Sequence, residues 1–124
     1  ADGIGILLDL VADADVMIEN FRPGRIEEMG LAPETLHRRN PKLELLRISG
    51  FGQTGPYRNK PGFGVIGEDM GGLRYLTGHP GEPSVRVGVS IGDSLSALYA
   101  VIGTLLALQE RQRSDAGWQQ FQNE

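Results

Sequence analysis

The chain of 124 residues contains no cysteine. This absence excludes disulfide bonds, thiolate catalysis and cysteine-based zinc sites, and it fits a reducing compartment, so we expect a cytoplasmic protein. Basic residues are also few, since 12 Lys and Arg stand against 16 Asp and Glu and give a formal net charge of −4. General nucleic-acid binding needs an excess of positive charge, so we expect no nucleic-acid partner.

Long apolar runs and clustered metal ligands are missing as well. No uninterrupted apolar run reaches membrane-spanning length, so we expect no membrane partner. The two histidines, His37 and His79, fall on a polar helix and in a turn, so we expect no metal site. The hydrophobic share of 40% is enough for a globular core. Because the chain begins at Ala1 rather than Met, we interpret it as part of a longer protein.

Helical and strand patterns alternate along the chain. Apolar residues at helical spacing predict helices over residues 4–11, 26–29, 33–40, 65–76 and from 90 onward. Short apolar runs predict strands over 15–19 and 43–49, with a short strand or extended segment over 85–89. This alternation predicts an α/β fold with parallel strands that ends in a long helix. We assign residues 1–113 to one domain and residues 114–124 to a divergent polar tail.

The junction before the long helix is the most informative segment. Between Val85 and Ala100 a β-branched stretch passes through glycine and serine into the helix, with Asp93 at the junction. A helix N-terminus offers unpaired backbone N–H groups and the positive end of the helix dipole, which suits reactive groups. Asp93 is therefore an N-cap, the commonest use of aspartate in this place, or a carboxylate nucleophile, and the two roles do not exclude each other.

The same junction contains a competing motif. Residues 88–92 read G-x-S-x-G, which is the pattern of a serine nucleophile elbow centred on Ser90. In such hydrolases the acid and the histidine follow the serine, whereas His37 and His79 both precede Ser90. A catalytic triad would need residues outside this chain, and the alternative is a Gly-Ser turn without chemistry.

Two loops that follow predicted strands carry candidate ligand-binding groups. Residues 50–55 match G-x-G-x-x-G, but the prolines that follow leave no room for a crossover helix, so we reject a nicotinamide site. Four cations lie in these loops, namely Arg22, Arg25, Arg58 and Lys60. Such loops meet at the ligand edge of an α/β sheet, so the cations are either a phosphate clamp or solvated charge. Phe21 and Tyr57 offer flat faces for a purine.

Three segments, in order, resemble the class III CoA-transferases, or CaiB/BaiF family, which includes formyl-CoA and carnitine CoA-transferases and α-methylacyl-CoA racemases. The first is Asp15 to Gly24, which contains Glu-Asn-Phe-Arg-Pro-Gly. The second is Asn40 to Tyr57, which contains Ser-Gly-Phe-Gly-Gln-Thr-Gly-Pro. The third begins at Val87 with Val-Gly-Val-Ser-Ile-Gly-Asp-Ser and continues into the alanine- and leucine-rich helix. The resemblance covers residues 1–113.

The resemblance implies that this chain is the central part of a CoA-binding, Rossmann-like large domain in an interlocked homodimer. It implies that Asp93 is the nucleophile and carries coenzyme A as an aspartyl-CoA thioester between an acyl-CoA donor and a carboxylic acid acceptor. It places the coenzyme A contacts around two loops, and we assign them to Asn20, Phe21, Arg22, Arg25, Lys60, Gly62 and Phe63.

The chain departs from the family pattern in three places. Glu28 stands where some members have a basic residue that contacts coenzyme A, and Arg25 is the candidate replacement. Phe63 stands where racemases have a catalytic histidine, which argues against racemase activity. Residues 114–121 replace a usual Thr-Gly-Arg-Gly-Gln and strand. We expect a CoA-transferase that is inactive as the isolated chain, with a Ser90 hydrolase and a non-catalytic fragment as the alternatives.

Overall fold

The computed structural model describes residues 2–114 and 120–123. In chain order the elements are α1 (Asp2–Ala12), β1 (Val16–Glu19), α2 (Arg25–Glu28), α3 (Pro33–Arg39), β2 (Glu44–Ile48), α4 (Gly64–Met70), a 3₁₀ turn (Arg74–Leu76), α5 (Ile91–Ser114) and β3 (Gln120–Asn123). The predicted α/β class, with helices alternating with strands and a long helix near the end, is confirmed.

The described strands form a parallel sheet in the order β1–β2–β3. Glu19 at the end of β1 lies opposite Arg47 on β2, and Phe121 on β3 lies opposite Leu46. Because the strands run in the same direction, the connections that leave β1 and β2 start from the same edge of the sheet. This carboxyl edge positions the site described below.

The main hydrophobic core lies between α1, α2, α3 and one face of the sheet. Its buried members are Val11, Ile26, Leu31, Leu36, Leu43 and Leu45. Asn40 closes the connection between α3 and β2, since its Nδ2 donates to the carbonyls of Val11 at 2.9 Å and Ala14 at 2.8 Å. Its Oδ1 accepts from the Lys42 amide at 3.0 Å. The side chain thus satisfies backbone groups that the helix ends leave unpaired.

Helix α5 covers the other face of the sheet with small residues. Side chains alternate along a strand, so Leu46 points away from Leu45, toward the side on which α5 packs. Ala100 and Ala107 of α5 are buried there. The leucines and isoleucine that revealed the helical period are 48–61% exposed, namely Leu95, Leu98, Ile102, Leu105 and Leu106. The helical spacing of these residues identifies the helix, but the face that they share is not the face of α5 that packs against the sheet.

Helix α5 bears on the expectation of no membrane partner, which stays a prediction. Ile91–Arg113 contains an 18-residue window with a mean hydropathy of 1.6, so this helix is long and apolar enough to cross a membrane by length and composition. Gly92, Asp93 and the hydroxyl residues interrupt its apolar runs, which is why a search for uninterrupted runs missed it. Core helices of globular proteins pass the same test, so this finding is weak evidence for a membrane segment.

Three local predictions need correction. Residues 85–89 form no strand, and the segment instead connects the 3₁₀ turn to α5, because a short β-branched run needs a neighbouring strand to pair with. The predicted helix over 65–76 breaks at Gly71 and Gly72, and Gly72 has φ +76°. The polar tail includes the last residue of α5 and strand β3 at 120–123, while residues 115–119 lie outside the described part.

Candidate active site

A cleft of about 530 Å³ opens at the carboxyl edge of the sheet. Four segments line it: the loop after β1, the loop after β2, the first turns of α4 and the first turns of α5. The predicted site residues that line it are Asn20, Phe21, Arg22, Lys60, Gly62, Phe63 and Asp93. Segments far apart in the chain therefore come together at the edge that the strand order predicts.

Arg25 is the predicted site residue that the structure places elsewhere. It begins α2, and its Nη1 donates to Oε2 of Glu28 at 2.8 Å. Both side chains are more than half exposed, and neither is among the residues that line the cleft. Arg25 therefore has a partner on its own helix, and the structure does not support it as a replacement for the missing basic residue at position 28.

Asp93 lies inside the first turn of α5 rather than at its cap. The helix begins at Ile91, so the residue before it is Ser90 and the N-cap interpretation of Asp93 is wrong. The amide and the hydroxyl of Ser94 both donate to the Ser90 carbonyl at 3.0 Å. The Asp93 carboxylate is exposed to the cleft and lies at the positive end of a 24-residue helix, which stabilises its charge.

Two glycines allow the starts of α4 and α5 to touch beside Asp93. A Cβ on Gly64 would lie 3.0 Å from Oδ1 of Asp93, and a Cβ on Gly92 would lie 3.2 Å from the Gly64 carbonyl oxygen. A third close approach joins the two ends of the loop after β2, because a Cβ on Gly62 would lie 2.5 Å from the Cα of Gly50. The Asp93 carboxylate thus lies beside space that a side chain at residue 64 would occupy.

Three cations, Arg22, Arg58 and Lys60, line the cleft. Nη2 of Arg22 donates to the Asn59 carbonyl at 2.9 Å, which ties the loop after β1 to the loop after β2. Among the described residues that line the cleft, Asp93 is the single acid. The cleft therefore combines an excess of positive charge in the two loops with one carboxylate at the helix start, which suits a phosphate-bearing ligand with an electrophilic group.

The aromatic faces in the cleft are not quite those that the sequence indicated. Phe21 is 48% exposed and Phe63 is 75% exposed, and both line the cleft. Tyr57 does not line it, because its ring meets Phe51 edge-on with centroids 5.7 Å apart and carries Nζ of Lys60 at 3.9 Å. Lys60 and Tyr57 therefore form a cation–π contact. The Tyr57 ring orients the lysine and does not offer its face to a purine in the cleft.

Some lining residues on α5 were missed. Ser96 and Tyr99 face the cleft one and two turns after Gly92. The spacing of 92, 96 and 99 is i, i+4, i+7, which places three residues on one face of a helix. Helical spacing counted from Gly92 is the signal that finds them.

A buried charge network beneath the loop after β1 was also missed. Nε of Arg47 donates to Oε1 of Glu19 at 2.6 Å, and its Nη1 donates to Oε1 of Glu27 at 2.8 Å. Burial lowers the pKa of Arg47, but its bonds to both carboxylates outweigh this and raise it above the usual value. Burial also raises the pKa of Glu27, and the bonds to Arg47 outweigh this and hold it below the usual value.

The structure weighs against the competing motifs. Among the described residues no strand leads directly into Ser90, which a nucleophile elbow requires, and neither Ser90 nor His37 nor His79 lines the cleft. The first helix after the G-x-G-x-x-G loop begins only at Gly64, which agrees with the rejection of a nicotinamide site.

The sequence matches a known family. Residues 1–120 match the family described as CoA-transferase family III. The chain is 56% identical over 116 residues to succinyl-CoA–D-citramalate CoA-transferase of Chloroflexus aurantiacus. It is 38% identical over 116 residues to succinate–glutarate CoA-transferase of Agrobacterium fabrum. Each alignment covers 94% of this chain and 29% of the relative.

The fold matches a solved structure of similar kind. A crystal structure of a CAIB/BAIF family protein from Brucella suis superposes with a TM-score of 0.92 at 40% sequence identity. That match covers 98% of this chain and 32% of the solved chain. The chain therefore spans less than one third of the length of these similar proteins.

Proposed function

The chain belongs to CoA-transferase family III, and from this premise we propose that its cleft binds an acyl-CoA and transfers CoA to a carboxylic acid through Asp93. We further propose that residues 1–113 are the central part of a larger Rossmann-like domain in a cytoplasmic, interlocked homodimer. The observation that carries the proposal is one cleft that joins the loop cations to a carboxylate at the start of α5.

The described residues suit coenzyme A, which carries an adenine ring, three phosphate groups and a long arm that ends in a thiol. Arg22, Arg58 and Lys60 offer positive charge for the phosphates. Phe21 and Phe63 offer exposed ring faces for the adenine. Asp93 lies at the opposite lining segment, on α5, where the thioester at the end of the arm would react.

In the proposed mechanism the first half-reaction moves CoA onto the enzyme. A carboxylate oxygen of Asp93 attacks the thioester carbonyl carbon of the donor. The carbon–sulfur bond breaks, which gives a mixed anhydride and CoA thiolate. The thiolate then attacks the Asp93 carbonyl carbon of the anhydride, so the donor leaves as its carboxylate and Asp93 holds CoA as a thioester.

The second half-reaction mirrors the first. The acceptor carboxylate attacks the Asp93 thioester, which expels CoA thiolate and forms a second mixed anhydride. The thiolate attacks the acceptor carbonyl carbon, which releases the new acyl-CoA and restores the Asp93 carboxylate. The backbone N–H groups of Gly92 and Asp93 lie in the first turn of α5, where no preceding turn of helix supplies an acceptor, so they are positioned to stabilise the oxyanion in each step.

For the donor, we propose succinyl-CoA. The relatives from Chloroflexus aurantiacus and Agrobacterium fabrum carry succinyl-CoA or succinate in their names. Dicarboxylic acids are accordingly the first acceptors to test.

The test is a transfer assay on the full-length protein. The protein is incubated with succinyl-CoA and D-citramalate, glutarate, oxalate or acetate. New acyl-CoA species are separated and identified by mass spectrometry. We expect acceptor-dependent formation of a new acyl-CoA that is lost in Asp93→Asn and kept in Ser90→Ala. Release of free CoA without any acceptor, lost in Ser90→Ala instead, would overturn the transferase proposal in favour of a hydrolase.

A further inference from the structure

We propose that Arg47 and Glu19 are positioning residues for the ligand-binding loop at 20–24, and that they set its affinity for coenzyme A without touching the ligand. The identity of the ligand rests on the proposed function. The shape of the loop rests on contacts within the described chain alone.

The pair is built into the strand register. Glu19 is the last residue of β1 and lies directly opposite Arg47 on β2. Their side chains are 2% and 4% exposed, and Nε of Arg47 lies 2.6 Å from Oε1 of Glu19. A buried pair of this kind seldom stabilises a fold more than apolar residues of the same volume would. The contribution of the Glu19–Arg47 pair therefore lies in the groups that the pair holds in place rather than in the free energy of unfolding.

The second oxygen of Glu19 reaches the loop itself. Oε2 accepts a hydrogen bond from the backbone N–H of Phe21 at 2.8 Å. One carboxylate thus bridges the buried guanidinium and the backbone of a residue that lines the cleft. Without Arg47 the Glu19 carboxylate would be buried with no counter-charge. Because an unpaired buried charge is costly, the side chain would turn toward water and away from the Phe21 amide.

The other end of the loop is held by the same guanidinium. Nη1 and Nη2 of Arg47 donate to the two oxygens of Glu27 at 2.8 and 3.3 Å. Glu27 lies on α2, the helix that the loop leads into, while Glu19 lies on the strand that the loop leaves. Arg47 therefore fixes both ends of the segment that presents Asn20, Phe21 and Arg22 to the cleft.

Three measurements on the full-length protein test this proposal: the Kd for coenzyme A by calorimetry, the hydrogen-exchange rate of the Phe21 amide without ligand, and the thermal unfolding midpoint. The variants are Arg47→Met, the conservative Arg47→Lys, Glu19→Gln and Glu27→Gln. Arg39→Met is the matched control, because Arg39 also bonds a carboxylate, Asp9 at 2.9 Å, but lies on α3 and does not line the cleft.

We expect Arg47→Met to raise the Kd roughly tenfold, as loss of one charge-assisted hydrogen bond would, and to speed exchange at Phe21. Arg47→Lys should recover part of both effects, Glu27→Gln should have the smallest effect, and kcat at saturating donor should change less than KM. Arg39→Met should change neither the Kd nor the exchange rate.

A folded Arg47→Met protein with the wild-type Kd and Phe21 exchange rate overturns the proposal, even when its unfolding midpoint falls. If Arg47→Met does not fold, Glu19→Gln decides by the same two readouts, because it keeps the side-chain volume and leaves Arg47 paired with Glu27. A wild-type protein that does not bind coenzyme A overturns the proposed function, and the exchange rates still decide whether Arg47 shapes the loop.

Discussion

The carboxylate of Asp93 lies against the backbone of Gly64, so closely that a Cβ at residue 64 would be 3.0 Å from Oδ1. Gly64 begins α4 and Asp93 belongs to the first turn of α5, so this contact joins two helix starts at the cleft. The position of the proposed nucleophile therefore depends on the absence of a side chain on a neighbouring helix.

Gly64→Ala should slow the reaction at Asp93 more than it weakens ligand binding. The added methyl group displaces the carboxylate by a few tenths of an ångström, so we expect kcat to fall roughly 3- to 10-fold. Gly67→Ala is the matched control, because Gly67 also lies on α4 and lines the cleft but has nothing within 4 Å of an added Cβ. Steady-state kinetics measure kcat for both variants. Equal values would mean that a methyl group at residue 64 does not displace the Asp93 carboxylate.

The loop after β1 should contribute to coenzyme A binding, whereas the surface of α3 should not. Phe21→Ala and Arg22→Ala remove groups that line the cleft, so each should weaken coenzyme A binding. Arg38→Ala removes an exposed guanidinium that bonds Thr35 on α3, and it should leave the affinity unchanged. Calorimetric titration of coenzyme A into the three variants checks this. Equal affinities across them would mean that the loop after β1 is not part of the binding site.

Glu27 should contribute to stability in a pH-dependent manner. Despite its partial burial, the bonds to Arg47 hold the pKa of Glu27 in the folded protein below its usual value of 4.5. A carboxyl with a lowered folded-state pKa stabilises the fold above its unfolded pKa and loses that contribution as the pH falls through the folded pKa.

The stability advantage of wild type over Glu27→Gln should therefore be full near neutral pH and shrink as the pH falls below 4.5. Thermal unfolding midpoints of the two proteins, measured across this range, give the difference directly. Glu28→Gln is the control on the same helix, because Glu28 pairs only with the exposed Arg25. An advantage that grows toward acid pH would mean that Arg47 does not hold Glu27 in its ionised form.

The cleft could be predicted where local sequence rules apply. Phe21, Arg22 and Lys60 follow strands, and the loops after parallel strands meet at one edge of the sheet, so their convergence follows from strand order. Asp93 was found because it stands near the start of a strongly periodic helix. Its exact place in the first turn was not, since a cap depends on where the helix begins and Ser90 is also a good cap residue.

Features that depend on long-range pairing could not be predicted. Glu19 ends one apolar run and Arg47 lies within the next, and only the register of β1 against β2 makes them partners. Residues 85–89, predicted as a short strand or an extended segment, have the composition of a strand but pair with no described strand, whereas residues 120–123 form a strand because they lie beside β2. Strand formation at these two places is decided by the available partner rather than by propensity.

The isolated 124-residue chain should show no transferase activity and should self-associate. Leu98 and Leu105 on α5 are 61% and 60% exposed, as expected for a helix whose apolar face lacks a cover. An anhydride at an open Asp93 would hydrolyse before an acceptor arrived.

We expect light scattering to give a mass above that of one chain. The double substitution Leu98→Lys and Leu105→Lys should reduce that mass. A compact monomer that transfers CoA faster than its Asp93→Ala variant would contradict this.

In the proposed mechanism Asp93 carries the covalent intermediate, and trapping that intermediate is the decisive experiment. The full-length protein is incubated with succinyl-CoA without acceptor, quenched with hydroxylamine, digested and analysed by mass spectrometry. An activated aspartyl group reacts with hydroxylamine to give a hydroxamate, so we expect a hydroxamate on Asp93 that is absent in Asp93→Asn. An acyl group attached to Ser90, or an unmodified peptide around residue 93 while CoA transfer proceeds, would contradict the proposed mechanism.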